Sequence, residues 1–453
     1  MQSLNPATGK ILKDYKSLLK DELDECISQG HQAWLAWRKT DFEHRAGLMR
    51  KAAEILRAQS HEFSKLMAEE MGKPIKEGVL EAEKCAWVCE YYADNAEGFL
   101  KDQPIVSDAS ESFVHFEPIG IVLAVMPWNF PFWQVFRFIA PALMAGNAGV
   151  LKHASNVPGC ALAIERVLIE AGFPKYLFQT LLIGSDLVPH VVEHPLIKAV
   201  TLTGSTPAGS AVAASAGKSL KKTVLELGGS DPYIILEDAD LKHAAQQCAK
   251  SRLINNGQSC IAAKRFIVVD AVYDEFIQLF VAEMKKAVMG DPSDENTTLG
   301  PLARHDLRDE VHALVIDSIA HGATVLLGAQ VPDRVGAYYP ATVLANVHKG
   351  QPAYDQEIFG PVAAVIRVKD ADEAIYVAND TVFGLGAAVF TQNKERGKQI
   401  AAKALDAGCC FVNALVKSDP RLPFGGIKQS GYGRELSAFG IMEFVNIKTV
   451  YVA

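Results

Sequence analysis

Three side chains in this sequence could do covalent chemistry at a carbonyl carbon if the fold brought them together. Cys260 lies in INNGQSCIAAKR (254–265), after Gly257, Gln258 and Ser259, small and polar residues that would leave a thiol reachable. Lys264 and Arg265 follow, and nearby positive charge can lower a thiol's pKa below about 8.5 to give the nucleophilic thiolate. Glu226 ends an apolar run in LELGGSDP (225–232). Desolvation there would raise its pKa toward neutrality, where a general base works best. Asn129 stands among aromatic residues and prolines in PWNFPFW (127–133), offering an amide donor. A nucleophile, a carboxylate base and an amide donor are the set that acyl chemistry requires. Cys260 and Glu226 also have ordinary readings: a small buried thiol, and a glutamate satisfied by the N–H groups of Gly228 and Gly229.

The surrounding pattern shows which elements must position these groups. Residues 21–100 carry helical periodicity (Leu23, Ile27 and His31; Leu48, Ala52 and Leu56), broken at MGKP (71–74). This reads as a helical layer without chemistry of its own. In 111–125, alternating apolar residues around Glu117-Pro118 suggest short strands and a hairpin. From residue 121, apolar runs at 121–126, 148–152, 177–184, 198–204 and 222–227 alternate with helical patterns. Pro158 opens one helix where its missing N–H costs nothing, and Gly172 and Pro174 close it. Such alternation implies a parallel sheet with right-handed crossovers, a Rossmann-like dinucleotide domain. The alternation restarts after Gly229 with runs at 232–238, 264–269, 324–328, 361–368, 386–390 and 409–414, a second α/β domain containing Cys260. The tail 444–453 alternates like an edge strand able to complete a partner's sheet.

Composition excludes several classes. A chain of 453 residues implies two to three domains. A formal charge of -8 and no long Lys/Arg run give no face for nucleic acid. The longest apolar run, 119–126, is far short of the roughly 18 residues of a membrane span, and the N-terminus lacks a signal-peptide pattern. The eight cysteines show no zinc spacing, and Cys85/Cys89 and Cys409/Cys410 read as reduced structural thiols, as in a cytoplasmic protein. No motif suggests a metal.

PWNFP, LELGG, GQSC, EIFGPV (357–362) and PFGGIKQSG (423–431), in that order, resemble the NAD(P)-dependent aldehyde dehydrogenase superfamily. The similarity spans the chain from NPATGK (5–10) to the tail. PWNFPFWQVFR, LKHASN and GQSCIAAKR together look closest to the bacterial succinate-semialdehyde dehydrogenases. The resemblance implies a cofactor-binding domain (1–108 and 123–227), a catalytic domain (228–430) and a small β oligomerisation element (109–122 and 431–453). It also implies a homodimer or homotetramer, the projecting hairpin serving oligomer contacts.

The same resemblance implies roles for single residues. Cys260 would attack the aldehyde, Asn129 and the Cys260 N–H would hold the oxyanion, and Glu226 would activate the water that hydrolyses a thioester. Trp128, Lys152, Ser155, Gly204, Ser205, Leu227, Glu357 and Phe359 would hold the cofactor. TGSTPAG (203–209) follows a strand and opens a helix, a setting for phosphate at a helix N-terminus. Ser155 stands where the family often has a glutamate that grips both ribose hydroxyls. A carboxylate would repel a 2′-phosphate, so Ser155 with Lys152 favours NADP, with NAD also usable.

Arg137, eight positions after Asn129 and thus two helical turns along one face, matches the arginine that binds a distal carboxylate, a task its bidentate fork suits. Ile254 replaces a second arginine found in some members, and Ser418 would supply a hydroxyl instead. The substrate expected is an aldehyde with a distal carboxylate, succinate semialdehyde or its glutarate homologue, since one methylene separates them by only about 1–3 kcal/mol. A broad-specificity or CoA-acylating aldehyde dehydrogenase is the enzymatic alternative, though Glu226 argues for water as the acyl acceptor. A non-catalytic scaffold is the other.

Overall fold

Runs of β-branched and aliphatic residues without polar alternation belong in strands covered on both faces, and here they build two largely parallel sheets. The computed structural model describes residues 1–453. Its first sheet has six strands in the order Gly431–Tyr432, Lys222–Glu226, Ile197–Thr203, Ile121–Met126, Ala148–His153 and Phe178–Thr180. All pairings are parallel except that of Gly431–Tyr432. Parallel neighbours need crossovers, supplied by the helices Trp133–Met144, Pro158–Glu170 and Thr206–Lys218. The chain runs outward from Ile121–Met126 on one side, then returns to continue on its other side. That reversal opens a crevice at the carboxyl ends of the strands.

The second sheet has seven strands in the order Thr324–Leu327, Thr342–Ala345, Val362–Val368, Arg265–Val269, Pro232–Ile235, Gly386–Phe390 and Cys409–Val412. Only Thr324–Leu327 is antiparallel. The four buried residues of Thr342–Ala345 are a strand that the sequence pattern did not reveal. So short a run carries no periodicity of its own.

Four helices, Lys20–Trp37, Phe42–Ala58, Ser60–Met71 and Ile75–Leu100, form the expected layer. Gly72 ends the third of them with φ 76°, and a Cβ there would lie 2.7 Å from the Pro301 carbonyl oxygen. Glycine is therefore required twice over, by conformation and by space.

Two expectations change. No hairpin forms at Glu117-Pro118: Glu111–Pro118 and Ile121–Met126 lie in different sheets, because Gly120 (φ 131°) turns the chain between them. Glu111–Pro118 instead pairs with Val445–Val452 and Gln103–Pro104 in an antiparallel three-stranded sheet. Gly431–Tyr432, expected with the tail element, joins the six-stranded sheet beside Glu226.

Candidate active site

Cys260 is held by a loop of unusual backbone. Asn255 and Asn256 are left-handed (φ 51° and 59°), and Gly257 follows at φ 76°. Asparagine tolerates that region through local hydrogen bonding. A Cβ on Gly257 would lie 2.3 Å from the Gly360 carbonyl carbon. Side chains lock the loop from several directions. Asn256 Nδ2 donates to the carbonyls of Gly72 (2.9 Å) and Pro301 (3.0 Å), and its Oδ1 accepts the Gly300 N–H. Gln258 Oε1 accepts the Ala303 N–H, and Arg252 Nη2 donates to Gly257 O. Against expectation Gly257, Gln258 and Ser259 are buried, yet Cys260 remains half-buried and lines a cavity.

The expected lowering of the thiol's pKa is not found. Burial pushes it up to about 12, opposed by the charges of Lys264 and Arg137. Lys264 Nζ donates to the carbonyls of Ser259 (2.9 Å) and Cys260 (2.6 Å), and its charge is shared with Glu357 at 3.0 Å. Arg265 points elsewhere, donating to the carbonyls of Ser230, Val377 and Ala378. A cation already compensated by a carboxylate cannot offset the desolvation of a buried thiolate.

Asn129 lies in the bend before the helix Trp133–Met144, so it does not share a helix face with Arg137. Its Nδ2 donates to Gln258 O at 3.0 Å, which leaves a second hydrogen beside the Cys260 loop. The Cys260 N–H finds no acceptor within the protein. Glu226 ends the strand Lys222–Glu226, fully buried, with no hydrogen bond to either carboxylate oxygen. Burial first, and then the charge of Glu435, raise its pKa well above the usual carboxylate range. Gly229 N–H donates to Glu357 instead, so the ordinary reading of Glu226 does not hold.

The cofactor candidates gather along the carboxyl edge of the six-stranded sheet. Trp128 follows Ile121–Met126, Lys152 and Ser155 end or follow Ala148–His153, Gly204 and Ser205 follow Ile197–Thr203, and Leu227 follows Lys222–Glu226. Ser205 is the exposed N-cap of Thr206–Lys218 and makes no capping bond, which leaves its hydroxyl and the helix N-terminus open to an anion. Lys152 is half-buried, and burial lowers its pKa. From the second sheet come Glu357 and Phe359, the Phe359 ring edge-on to Trp128 at 5.9 Å. A Cβ on Gly228 would lie 2.3 Å from Glu357 Oε2, so that glycine leaves room for the carboxylate. Helix N-terminus, unpaired lysine, carboxylate and aromatic pair together suit a dinucleotide.

Arg137 and Ser418 line the Cys260 cavity together with Phe130, Trp133 and Lys84. Arg137 is no surface charge. It is 2% exposed, forms an ion pair with Glu435, donates to Thr203 Oγ1 at 3.2 Å and lies over the Phe424 ring.

The helical layer, expected to be without chemistry, supplies much of this support. Glu81 Oε1 accepts the N–H groups of Phe132 and Trp133 at 2.9 Å each, fixing the start of the helix that carries Arg137, while Lys73 neutralises Glu81. Glu77, Glu81 and Lys84 fall on one face of Ile75–Leu100, at spacings of four and three. Charged residues along the inward stripe of a long helix were the signal available in the sequence.

Comparison with known proteins agrees with this geometry. The sequence description of the aldehyde dehydrogenase family matches residues 1–450. The chain is 50% identical over 451 residues to a probable succinate-semialdehyde dehydrogenase [NADP(+)] of Synechocystis, covering 100% of this chain and 99% of that one. It is 47% identical over 454 residues to succinate-semialdehyde dehydrogenase [NADP(+)] 1 of Mycobacterium bovis, with the same coverage. Among solved structures it is similar to succinic semialdehyde dehydrogenase from Streptococcus pyogenes in complex with NADP+ (TM-score 0.97, 40% identity, covering 100% of this chain and 99% of that one). The chain belongs to the aldehyde dehydrogenase family.

Proposed function

We propose that this protein oxidises succinate semialdehyde to succinate with NADP, NAD being a usable second cofactor, through a thioester on Cys260. The observation that carries this reading is the shared cavity: the thiol opens into a space that also holds the cationic side chain of Arg137 and the hydroxyl of Ser418. Its charge suits an aldehyde with a carboxylate at its far end. The names of the relatives support both substrate and cofactor.

Cys260 Sγ, as thiolate, forms a bond to the aldehyde carbon, and the carbonyl oxygen becomes an oxyanion. Asn129 Nδ2 and the Cys260 N–H donate to that oxygen, and one such donor is worth about 10²–10³ in kcat. A bound nicotinamide would supply the hydride acceptor, and loss of hydride from the aldehyde carbon leaves an acyl group on the Cys260 sulfur. Glu226 then takes a proton from the attacking water. The new C–O bond forms, the C–S bond breaks, and the acid departs as the thiol is restored. Burial suits Glu226 to this step, because a carboxylate with a raised pKa is the stronger base. Ser205, Lys152 and Ser155 would hold the adenosine phosphates, Trp128, Leu227 and Phe359 would bound the nicotinamide, and Glu357 would bind its ribose. Lys152 with Ser155 gives the 2′-phosphate one cation and no repelling carboxylate.

The exposed Ile447 and Tyr451 of the edge strand Val445–Val452, with the exposed Phe439 of the preceding helix Ser437–Met442, favour a homodimer or homotetramer. No helix is long and apolar enough to cross a membrane, and all eight cysteines are free, which supports a cytoplasmic setting.

The test is steady-state turnover of succinate semialdehyde and of butanal, an uncharged aldehyde of equal chain length, with NADP and NAD in parallel. The expected result is a preference for the semialdehyde and for NADP. Equal kcat/KM for the two aldehydes would defeat the substrate reading, and a strong preference for NAD would defeat the cofactor reading.

A further inference from the structure

Three cations, Arg137, Lys84 and Lys417, line the Cys260 cavity with Ser418; Lys417 is exposed to solvent, and the surroundings of the other two differ. Arg137 is committed: Glu435 compensates its charge, Thr203 Oγ1 takes one of its N–H groups, and its guanidinium carbon lies 4.9 Å from the centre of the Phe424 ring. Lys84 is not. Its Nζ donates to Ser418 Oγ at 2.7 Å and sits 4.1 Å from the centre of the Trp133 ring, and no carboxylate lies within ion-pair distance. The acidic groups nearest to it are engaged elsewhere, Glu81 by Lys73 and Asp419 by Arg421. An ammonium has three donor hydrogens, and Ser418 accounts for one.

Resting on the substrate reading above, we infer that Lys84, oriented by Ser418, is the direct partner of the substrate's distal carboxylate, and that Arg137 acts behind it as a compensated charge. A carboxylate entering this end of the cavity meets an uncompensated cation at Lys84 and a hydroxyl at Ser418. At Arg137 it would have to compete with Glu435. The Trp133 face steadies the ammonium between turnovers.

The electrostatics point the same way. Burial, and next the charge of Arg137, bring Lys84 down to about 8, while Cys85, Glu81 and Asp419 act weakly against that shift. A bound carboxylate would reverse the loss, so the anion binds to the protonated lysine and its capture weakens as pH rises through about 8.

The experiment compares kcat/KM for succinate semialdehyde and butanal in the full-length wild type, Lys84→Met and Lys84→Arg, with NADP, from pH 6.5 to 9.5. In Lys84→Met the semialdehyde is expected to lose on the order of 10²-fold, chiefly through KM, while butanal stays within about threefold of wild type. Lys84→Arg should recover most of the loss. The ratio of the two kcat/KM values cancels the titration of Cys260 and Glu226, which both substrates share. In the wild type that ratio should fall above pH about 8; in Lys84→Met it should be flat; in Lys84→Arg its fall should move beyond the range.

The assignment is overturned if Lys84→Met keeps the preference for the semialdehyde, if it loses both substrates equally, or if the wild-type ratio is flat through pH 8. A wild type that prefers the semialdehyde while the Lys84 variants keep that preference refutes Lys84 alone. A wild type with no preference refutes the substrate reading, and this assignment with it.

Discussion

The carboxylate of Glu77 accepts the backbone N–H of Asn255 at 2.7 Å, joining the helix Ile75–Leu100 to the Cys260 loop across 178 residues of sequence. Asn255 passes the constraint on, its Nδ2 donating to Asn129 O at 2.6 Å and to Gln258 O at 3.1 Å. One glutamate of the helical layer thereby helps hold both Asn129, the amide of the proposed oxyanion site, and the loop of the Cys260 thiol. Burial lifts Glu77 to about 7, against the opposing effects of Lys73 and the Asn255 bond.

That shift sets a pH dependence of stability. The folded protein binds the Glu77 proton more tightly than the unfolded chain does, so this contribution is complete below pH 4.5 and is lost as pH rises toward 7. Glu77→Gln cannot titrate. Its unfolding free energy minus that of the wild type is therefore expected to climb between those pH values and to level off on either side. Urea unfolding at several pH values measures it, and a difference independent of pH would contradict the buried environment described.

Glu226→Gln separates the two halves of the reaction. In the proposed mechanism thioester formation does not use the carboxylate, so the first turnover should survive as a burst of reduced cofactor in rapid mixing. Steady-state kcat should fall by about 10²–10⁴ for loss of a general base. Because burial raises the Glu226 pKa, wild-type hydrolysis should speed up as pH rises and the carboxylate deprotonates. Loss of the burst along with turnover would place Glu226 earlier in the sequence.

The thiol itself can be titrated by its reactivity. With its pKa pushed up to about 12, Cys260 in the cofactor-free protein should react with iodoacetamide at rates that still climb at pH 9–10. The rise should approach tenfold per pH unit, since only the thiolate attacks. Lys264→Met, which removes the largest opposing charge, should slow it further at a given pH. Cys85, Cys89, Cys160 and Cys248 are buried with raised pKa values, so labelling should fall first on the half-buried thiols Cys26, Cys260 and Cys410, and peptide mapping resolves the rate at Cys260 from the other two. A rate that saturates near neutral pH would refute this description of the thiol's surroundings.

Ser155→Glu tests the basis of cofactor choice. A carboxylate there would repel a 2′-phosphate and accept the hydroxyls of an unphosphorylated ribose. The ratio of kcat/KM for NADP over NAD is expected to fall by about tenfold or more, as like charges placed side by side require. An unchanged ratio would move the determinant to Lys152 or elsewhere.

The alternation of strands and helices, and with it the pair of parallel sheets, could be read directly from the chain. Continuous apolar runs can be buried on both faces only in such sheets, and parallel pairing obliges a crossover. Local signals such as Pro158 at a helix start and the stop at MGKP were also legible, because capping and backbone conformation depend on a few adjacent residues. The motifs marked Cys260, Glu226 and Asn129.

The electrostatics, by contrast, exist only in the folded molecule. Lys264, four residues from Cys260, promised an acidic thiol, but Glu357 lies 3.0 Å from its ammonium, and that pairing joins residues far apart in the chain. Arg137 looked free to bind an anion until Glu435 arrived beside it from near the C-terminus. Lys84 belonged to a helix with no apparent chemistry until folding set it against Ser418, 334 residues away. Charge, burial and hydrogen bonding are properties of a neighbourhood, and the neighbours here are brought together only by the packing of the helical layer and the two sheets.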